Sequence, residues 1–588
     1  MAEYCVDGFL FDCVRMTRRK LLKVMGVVAG GSGITVGQRQ SIENGDSHVE
    51  ERMRALTQQY TRDHYTTAPK SGFDDSAMQA GELYWLTDDG EIGVKDENGG
   101  VIRPPMGSPN GPLPSINTER LYNAFERIVK PSMTTGEIQS AIDEVSNAGG
   151  GVIQFGPGTY NLSVQGQDAD GEDYCLAMKS NVVLQGAGDQ TVLFYDANSS
   201  VPDLASPILC SNVTDWEIRN LKVDAGVRAQ TTERHDSMGI KVGARRGDGT
   251  TGCDRFRIDN VTVTGGFRHG IETSDGSTVG RIDNCLLDDA SGDDDISISV
   301  NCRNVYVNEC ISINKRRAGD WTTDCFEIED GATDCAFIDC VAIDPVAGGF
   351  QVGKTHGQTI ATYGPCTDVW CDGCTVITPG RTGFTVGGFH QSVERIRLVD
   401  CEVRAASGVG ILINAGAATL KDVTVADCRV YNGRDRGLQV RGGTVSDLSI
   451  TDCVFDANHR EVALSMERVA TSANFEDLII ENCRFKNTAN AGLKFENTAT
   501  EYSGNSIVRN NYFKNNAFKD IVFATDANIR KYVRTLHNEA KNGADYSPVV
   551  PTNPENGTEY LDDGTNTETG ARGKRIYNGT SWQDAWTM

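Results

Sequence analysis

From residue 134 to residue 530, apolar and polar positions recur in one short pattern. It reads apolar-x-x-apolar-x-apolar-x-x-Cys-x-apolar, then a loop, then Gly-apolar-x-apolar. Residues 393–403, 420–430, 445–455 and 475–485 carry the first half; the second half begins at Gly383, Gly410, Gly437 and Gly492. The aligned cysteines are Cys285, Cys310, Cys340, Cys374, Cys401, Cys428, Cys453 and Cys483, spaced by 25, 30, 34, 27, 27, 25 and 30 residues. Leu221 and Val261 hold the same place in earlier turns. A constant strand pattern with variable spacing puts the insertions in loops. Alternate residues of a strand share a face. A coil of three short strands buries its inward residues only if another coil stacks on it. The pattern therefore predicts an all-β solenoid, a single-stranded parallel β-helix whose turns lie about 4.8 Å apart.

Aligning the turns also places Cys253, Cys302, Cys335, Cys366 and Cys371 inward, so 13 of the 18 cysteines are expected in the core. Cysteine is small and apolar enough for such a ladder. Cys371 and Cys374 have zinc-finger spacing, but they align with Leu398 and Cys401, which assigns them to packing. Disulfides between stacked neighbours stay open. Residues 134–147 (TTGEIQSAIDEVSN) predict a helix with Ile138, Ala141, Ile142 and Val145 on one face, suited to capping the open end of the solenoid. The segments GGGVIQFGPGTY at 149–160 and SNVVLQGAG at 180–188 follow it. This succession resembles the cap and first turns of the pectate-lyase/polygalacturonase superfamily, over about residues 134–525. The resemblance implies a right-handed coil, and a fold that serves hydrolases, lyases, epimerases and non-catalytic adhesins.

Composition fits many short strands: 64 glycines, 16 prolines and 7% aromatics in 588 residues. The net charge of −25, with 18 lysines against 38 arginines, resembles exported proteins of salt-loving archaea. Such a charge disfavours nucleic acid as a partner. Residues 16–37 (MTRRKLLKVMGVVAGGSGITVG) resemble a twin-arginine export signal, which implies a secreted or cell-surface protein. Its apolar stretch is too short and glycine-rich to hold stably in a bilayer. The expected organisation is 1–37 extension and signal, 38–133 linker and small β-hairpin module, 134–530 β-helix, and 531–588 a small C-terminal β module. The Tyr/Trp and Asp-Gly hairpins at 81–90 and 557–582 resemble pieces of viral tail fibres; if they mediate assembly, a homotrimer is expected.

Candidate chemistry comes from outward positions. Along one strand of successive turns these run His269, Asp294, Asp324, Gly348, Thr382, and then Glu272, Ser297, Glu327, Gln351, Thr385. Asp294, Asp324, Glu272 and Glu327 should form a carboxylate patch with His269 at its edge. The run SGDDDISI at 291–298 resembles the "GDDxIxI" strand of polygalacturonases, whose paired aspartates match Asp293 and Asp294. Arg268-His269-Gly270 stands where that family has "NTDG", and Asp324 ends the segment that replaces its "GHG" motif. Two carboxylates flanking a glycosidic bond act as general acid and base or nucleophile. Asp294 and Asp324 are the expected pair, assisted by Asp293 or Glu327, with His269 also in the catalytic set. Arg268, Lys354, His356 and Arg381, together with Glu272, are the expected contacts to an acidic sugar. A lyase would instead take Lys354, His356 or Arg381 as base, with Ca²⁺ held by Asp288, Asp289, Asp293, Asp294 or Asp295. A hydrolase needs no metal or cofactor. The first expectation is an exported glycoside hydrolase acting on an acidic polysaccharide. The alternatives are a lyase of the same fold and a glycan-binding surface or virion adhesin.

Overall fold

A computed structural model describes four short strands between residues 66 and 102 and most of residues 125–523. It also describes strands at Val533–Leu536, Glu559–Asp562, Gly573–Tyr577 and Trp582–Thr587. The expected extension and export signal at 1–37 lie outside the described residues. The chain divides into two units, Met1–Ser115 and Ile116–Met588. In the first unit Leu83–Leu86 and Glu91–Lys95 form an antiparallel hairpin, joined by Thr66–Ala68 and Val101–Ile102 at its edges.

The second unit is a parallel β-helix. One turn consists of Asp254–Asp259, Thr262–Thr264 and His269–Thr273; the next consists of Thr278–Asp283, Leu286–Asp288 and Ile296–Ile298. They stack in parallel register, with Phe256 beside Gly280, Val263 beside Leu287 and Ile271 beside Ile296. We call the face carrying His269–Thr273 the first face, that of Asp254–Asp259 the second and that of Thr262–Thr264 the third. Among the described residues the third face is one sheet of 13 strands. Parallel pairing runs from Phe125–Val129 to Val533–Leu536.

The interior shows why the repeat has its composition. All sixteen cysteines from Cys175 to Cys483 are buried and unbridged, including three the alignment had not placed inward: Cys175, Cys210 and Cys325. In the ladder each thiol points at a carbonyl of the preceding turn: Cys340 at Val307 (3.5 Å), Cys401 at Cys371 (3.5 Å) and Cys428 at Leu398 (3.4 Å). Valine would fill the same space without that weak donor. Burial pushes the thiols of Cys310, Cys340, Cys401 and Cys453 well above their ordinary pKa. Phenylalanines stack likewise: Phe326, Phe350 and Phe384 lie 4.7 and 4.9 Å apart, each pair within 10° of parallel.

The residue before each ladder cysteine makes the corner between second and third faces. Asn284, Glu309, Asp339, Asp400, Asp427, Asp452 and Asn482 all have φ between 51° and 57°. Asn and Asp tolerate this left-handed conformation best among non-glycine residues. Part of the chain's acidity therefore serves backbone geometry. This corner is two residues long in every described turn but one, where residues 186–190 make it five, whereas the chain between first-face strands and their neighbours is longest at 225–237, 314–323 and 355–365.

The helix Thr135–Asn147 (α1) closes the N-terminal end. Its buried Thr135, Ile138, Ala141, Ile142 and Val145 face the core, and Thr134 and Glu137 form a reciprocal capping box. At the other end Glu559–Asp562, Gly573–Tyr577 and Trp582–Thr587 make an antiparallel meander.

Candidate active site

Period-two alternation sorts the first face. Ile240, Ile271, Ile296, Phe326 and Phe350 point inward and are wholly buried. Between turns the outward residues align as Lys241, Glu272, Ser297, Glu327, Gln351 and Thr385. A second outward row runs Met238 and His269, then Asp324, Gly348 and Thr382. Asp294 takes the place between His269 and Asp324, because Gly270 and Ile271 donate their N–H groups to the Asp294 and Asp295 carbonyls. The two rows are as expected.

Their environment is not. The outward residues were expected to form an open surface patch, yet His269 and Asp294 are each 1% exposed, Glu272 0%, Glu327 1% and Asp324 6%. The cluster is an interior polar site. Arg268 and Asp293 form its partly open rim, with Arg268 Nε 3.4 Å from Asp293 Oδ2. Behind them His269 Nδ1 lies 3.6 Å from Asp294 Oδ2. One ligand atom each from His269, Asp293 and Asp294 falls within 4.8 Å of the others. His269 therefore belongs at the centre of the cluster. Among the described residues it is the one histidine.

Neighbouring residues support this arrangement. Asp324 leans over Gly348 of the next turn, where a Cβ would collide with its Oδ1. Ser299 donates its hydroxyl to Glu272 Oε1 at 3.2 Å. The hydroxyl of Ser297, between Glu272 and Glu327 in register, is fully buried and has no hydrogen-bond partner among the described residues. Asp295 turns the other way and accepts from the Ser312 hydroxyl, so it is not part of the His269 cluster. Arg381 stands exposed on the turn before Thr382, two turns beyond Asp324. His356 lies outside the described residues; Lys354 ends the strand Gly348–Lys354, in register with Glu329.

One pair was not anticipated. Lys241 Nζ lies 2.6 Å from Asp168 Oδ2, and both side chains are 2% exposed. Lys241 begins the outward row one turn before Glu272. The alternation in Gly239-Ile-Lys-Val could have revealed it, had the outward rows been aligned one turn earlier.

A sequence-family profile described as a right-handed β-helix region matches residues 371–568. The second unit is a right-handed parallel β-helix. Several solved structures resemble this chain at low identity. The A-module of mannuronan C-5 epimerase AlgE6 from Azotobacter vinelandii is 16% identical, with TM-score 0.49, covering 70% of this chain and 95% of that chain. The tailspike of Escherichia coli bacteriophage HK620 is 15% identical, with TM-score 0.49, covering 76% and 89%. In sequence, the β-helix chain is 35% identical to mannuronan C5-epimerase AlgE6 of Azotobacter vinelandii over 133 residues, 22% of its own length. That segment spans 15% of the relative's length. Among the described residues no helix is long and apolar enough to cross a membrane.

Proposed function

We propose that this protein is an exported enzyme that moves protons on the sugar rings of an acidic polysaccharide, with His269 and Asp294 at its centre. The observation that carries the reading is the imidazole 3.6 Å from a carboxylate, both buried, behind an arginine at the rim. The sequence likeness to a mannuronan C5-epimerase supports a uronate polymer as substrate.

The chemistry follows from the groups. The proton on the ring carbon beside a uronate carboxylate becomes removable once that carboxylate is neutralised. Arg268 supplies the positive charge. His269 takes the proton, and Asp294 holds the imidazole in orientation and stabilises its charged form. The electron pair left behind delocalises into the carboxyl group. Return of a proton to the opposite face, with Asp324 as donor, gives epimerisation. Breaking the neighbouring C–O bond instead gives elimination, the lyase outcome, in which Ca²⁺ could assist charge neutralisation.

Hydrolysis is the second reading. It is favoured by Asp294 and Asp324 occupying one outward row on adjacent turns, a spacing of about 5 Å that suits paired carboxylates. The test is incubation with a polyuronate in concentrated salt and D₂O. Deuterium appearing at the ring carbon without chain cleavage marks epimerisation, unsaturated uronate marks elimination, and new reducing ends alone mark hydrolysis. Binding without any of these would leave a glycan-binding adhesin and overturn the enzymatic proposal.

A further inference from the structure

The second face carries a feature that the first-face chemistry does not use. Its outward residues align turn by turn as Arg257, Arg281, Tyr306, Ala336, Trp370 and Arg397. Tyr306 and Trp370 stand two turns apart, about 10 Å along the axis. Their ring centroids are nevertheless only 5.7 Å apart, at 52°. They lean together over Ala336, whose small, fully buried side chain leaves the space. Tyr306 is 9% exposed, so it serves mainly as a wall, and the indole of Trp370 remains partly exposed. One turn beyond Trp370, Arg397 is exposed and forms no ion pair among the described residues. Arg257 and Arg281, at the other end of the row, are paired with Asp259 and Asp283.

We propose that Trp370, backed by Tyr306 and followed by Arg397, is a second binding site for an anionic polysaccharide, on a different face from the His269 cluster. A sugar ring presents C–H groups that pack on an indole, and the rigid Tyr–Trp pair offers that surface already formed. The exposed Arg397 guanidinium one turn along, which forms no direct ion pair among the described residues although it lies in the field of Asp368, matches the carboxylate of a neighbouring uronate. Asp372, the next outward residue on the Trp370 strand, disfavours a second anion directly beside the indole, so the polymer is expected to run along the axis toward Arg397. The site would hold the chain while the first face acts on it. It rests on the reading above only for the class of ligand.

Affinity electrophoresis through gels containing sodium alginate, or neutral dextran as control, tests this. Wild type should be retarded by alginate. Trp370→Ala should bind about tenfold more weakly, Arg397→Gln several-fold more weakly, and Trp370→Phe should recover most of the loss. Dextran mobility should not change, and melting curves confirm that the variants fold. Turnover of short oligouronates should be unaffected by Trp370→Ala, which separates this site from the active site. Undiminished alginate retardation of Trp370→Ala would overturn the proposal. So would a wild-type dimer on size exclusion that Trp370→Ala dissociates, because the face would then bind a second copy of the chain.

Discussion

The same strand of the same coil behaves differently in the two halves of the first face. From Met238 to Lys354 its outward residues include Lys241, His269, Glu272, Asp294, Asp324 and Glu327, all buried. From Thr382 to Phe495 the glutamate row continues as Thr385, Leu412, Gln439, Ser465 and Lys494, without a carboxylate. The inward side is alike in both: Phe326, Phe350 and Phe384 form one unbroken stack across the boundary. Burying charged groups is unfavourable unless they are paired and hydrogen-bonded. The early turns carry that burden on a scaffold no different from the later ones. Core packing fixes where outward residues stand and is indifferent to what they are. The proposed site lies where polar groups are buried against the ordinary preference of a strand's outer side.

The comparison can be broken or sharpened by experiment. Asp294→Asn should lower turnover of a polyuronate by about 10²–10⁴-fold while leaving the melting temperature near that of wild type. Unchanged turnover would remove the early turns' claim to be the active site. Lys241→Met leaves Asp168 buried opposite an apolar group, and chemical denaturation should show a loss of about 3–5 kcal/mol. Phe350→Ala, in the stack that crosses the boundary, should lose a similar amount, about 3–5 kcal/mol, by cavity formation. In the later turns Cys401→Ser keeps the size but adds a stronger polar group to the core, and about 1–3 kcal/mol should be lost.

The smallest effect is one of pH. The Arg395 guanidinium holds the Asp368 carboxyl below its ordinary range, as Arg255 does for Asp215. A carboxyl with a lowered folded pKa contributes stability above its ordinary range and loses it as the pH falls through the folded value. Both pairs are partly exposed, so each is worth about 1 kcal/mol or less. Asp368→Asn should flatten the acid side of the stability profile by that amount, as read by denaturant midpoints across pH.

Much of this was legible in the sequence because a stacked coil converts spacing into neighbourhood. The period-two alternation and the cysteine register were enough to align His269, Asp294 and Asp324, and Glu272, Ser297 and Glu327, across residues 25 to 30 positions apart. The capping helix was legible from its apolar stripe, while its capping box emerged only in the structure. Burial of the site was not, because alternation separates inward from outward and says nothing about what covers the outer side. The Lys241–Asp168 pair was hidden for a related reason: its partners are 73 residues apart, and Asp168 lies in the loop between Gly166–Gln167 and Asp173–Ala177 rather than on a repeating strand. Nor did the acidic composition reveal its structural share. Asp400, Asp427 and Asp452 read as surface charge until their left-handed backbone marks them as corners.

The nearly constant two-residue corner has an evolutionary corollary. A lineage altering this protein can lengthen, shorten or exchange the segments on either side of the first face without changing the pitch of the coil or the contents of its core. The opposite edge shows far less variation: among the described turns only the corner at 186–190 exceeds two residues. Diversification is thus channelled to the side where the proposed reactive groups lie. Related coils should differ most in the chain that frames their chemistry, and least in the hidden spine of asparagine, aspartate and cysteine that keeps the turns in register.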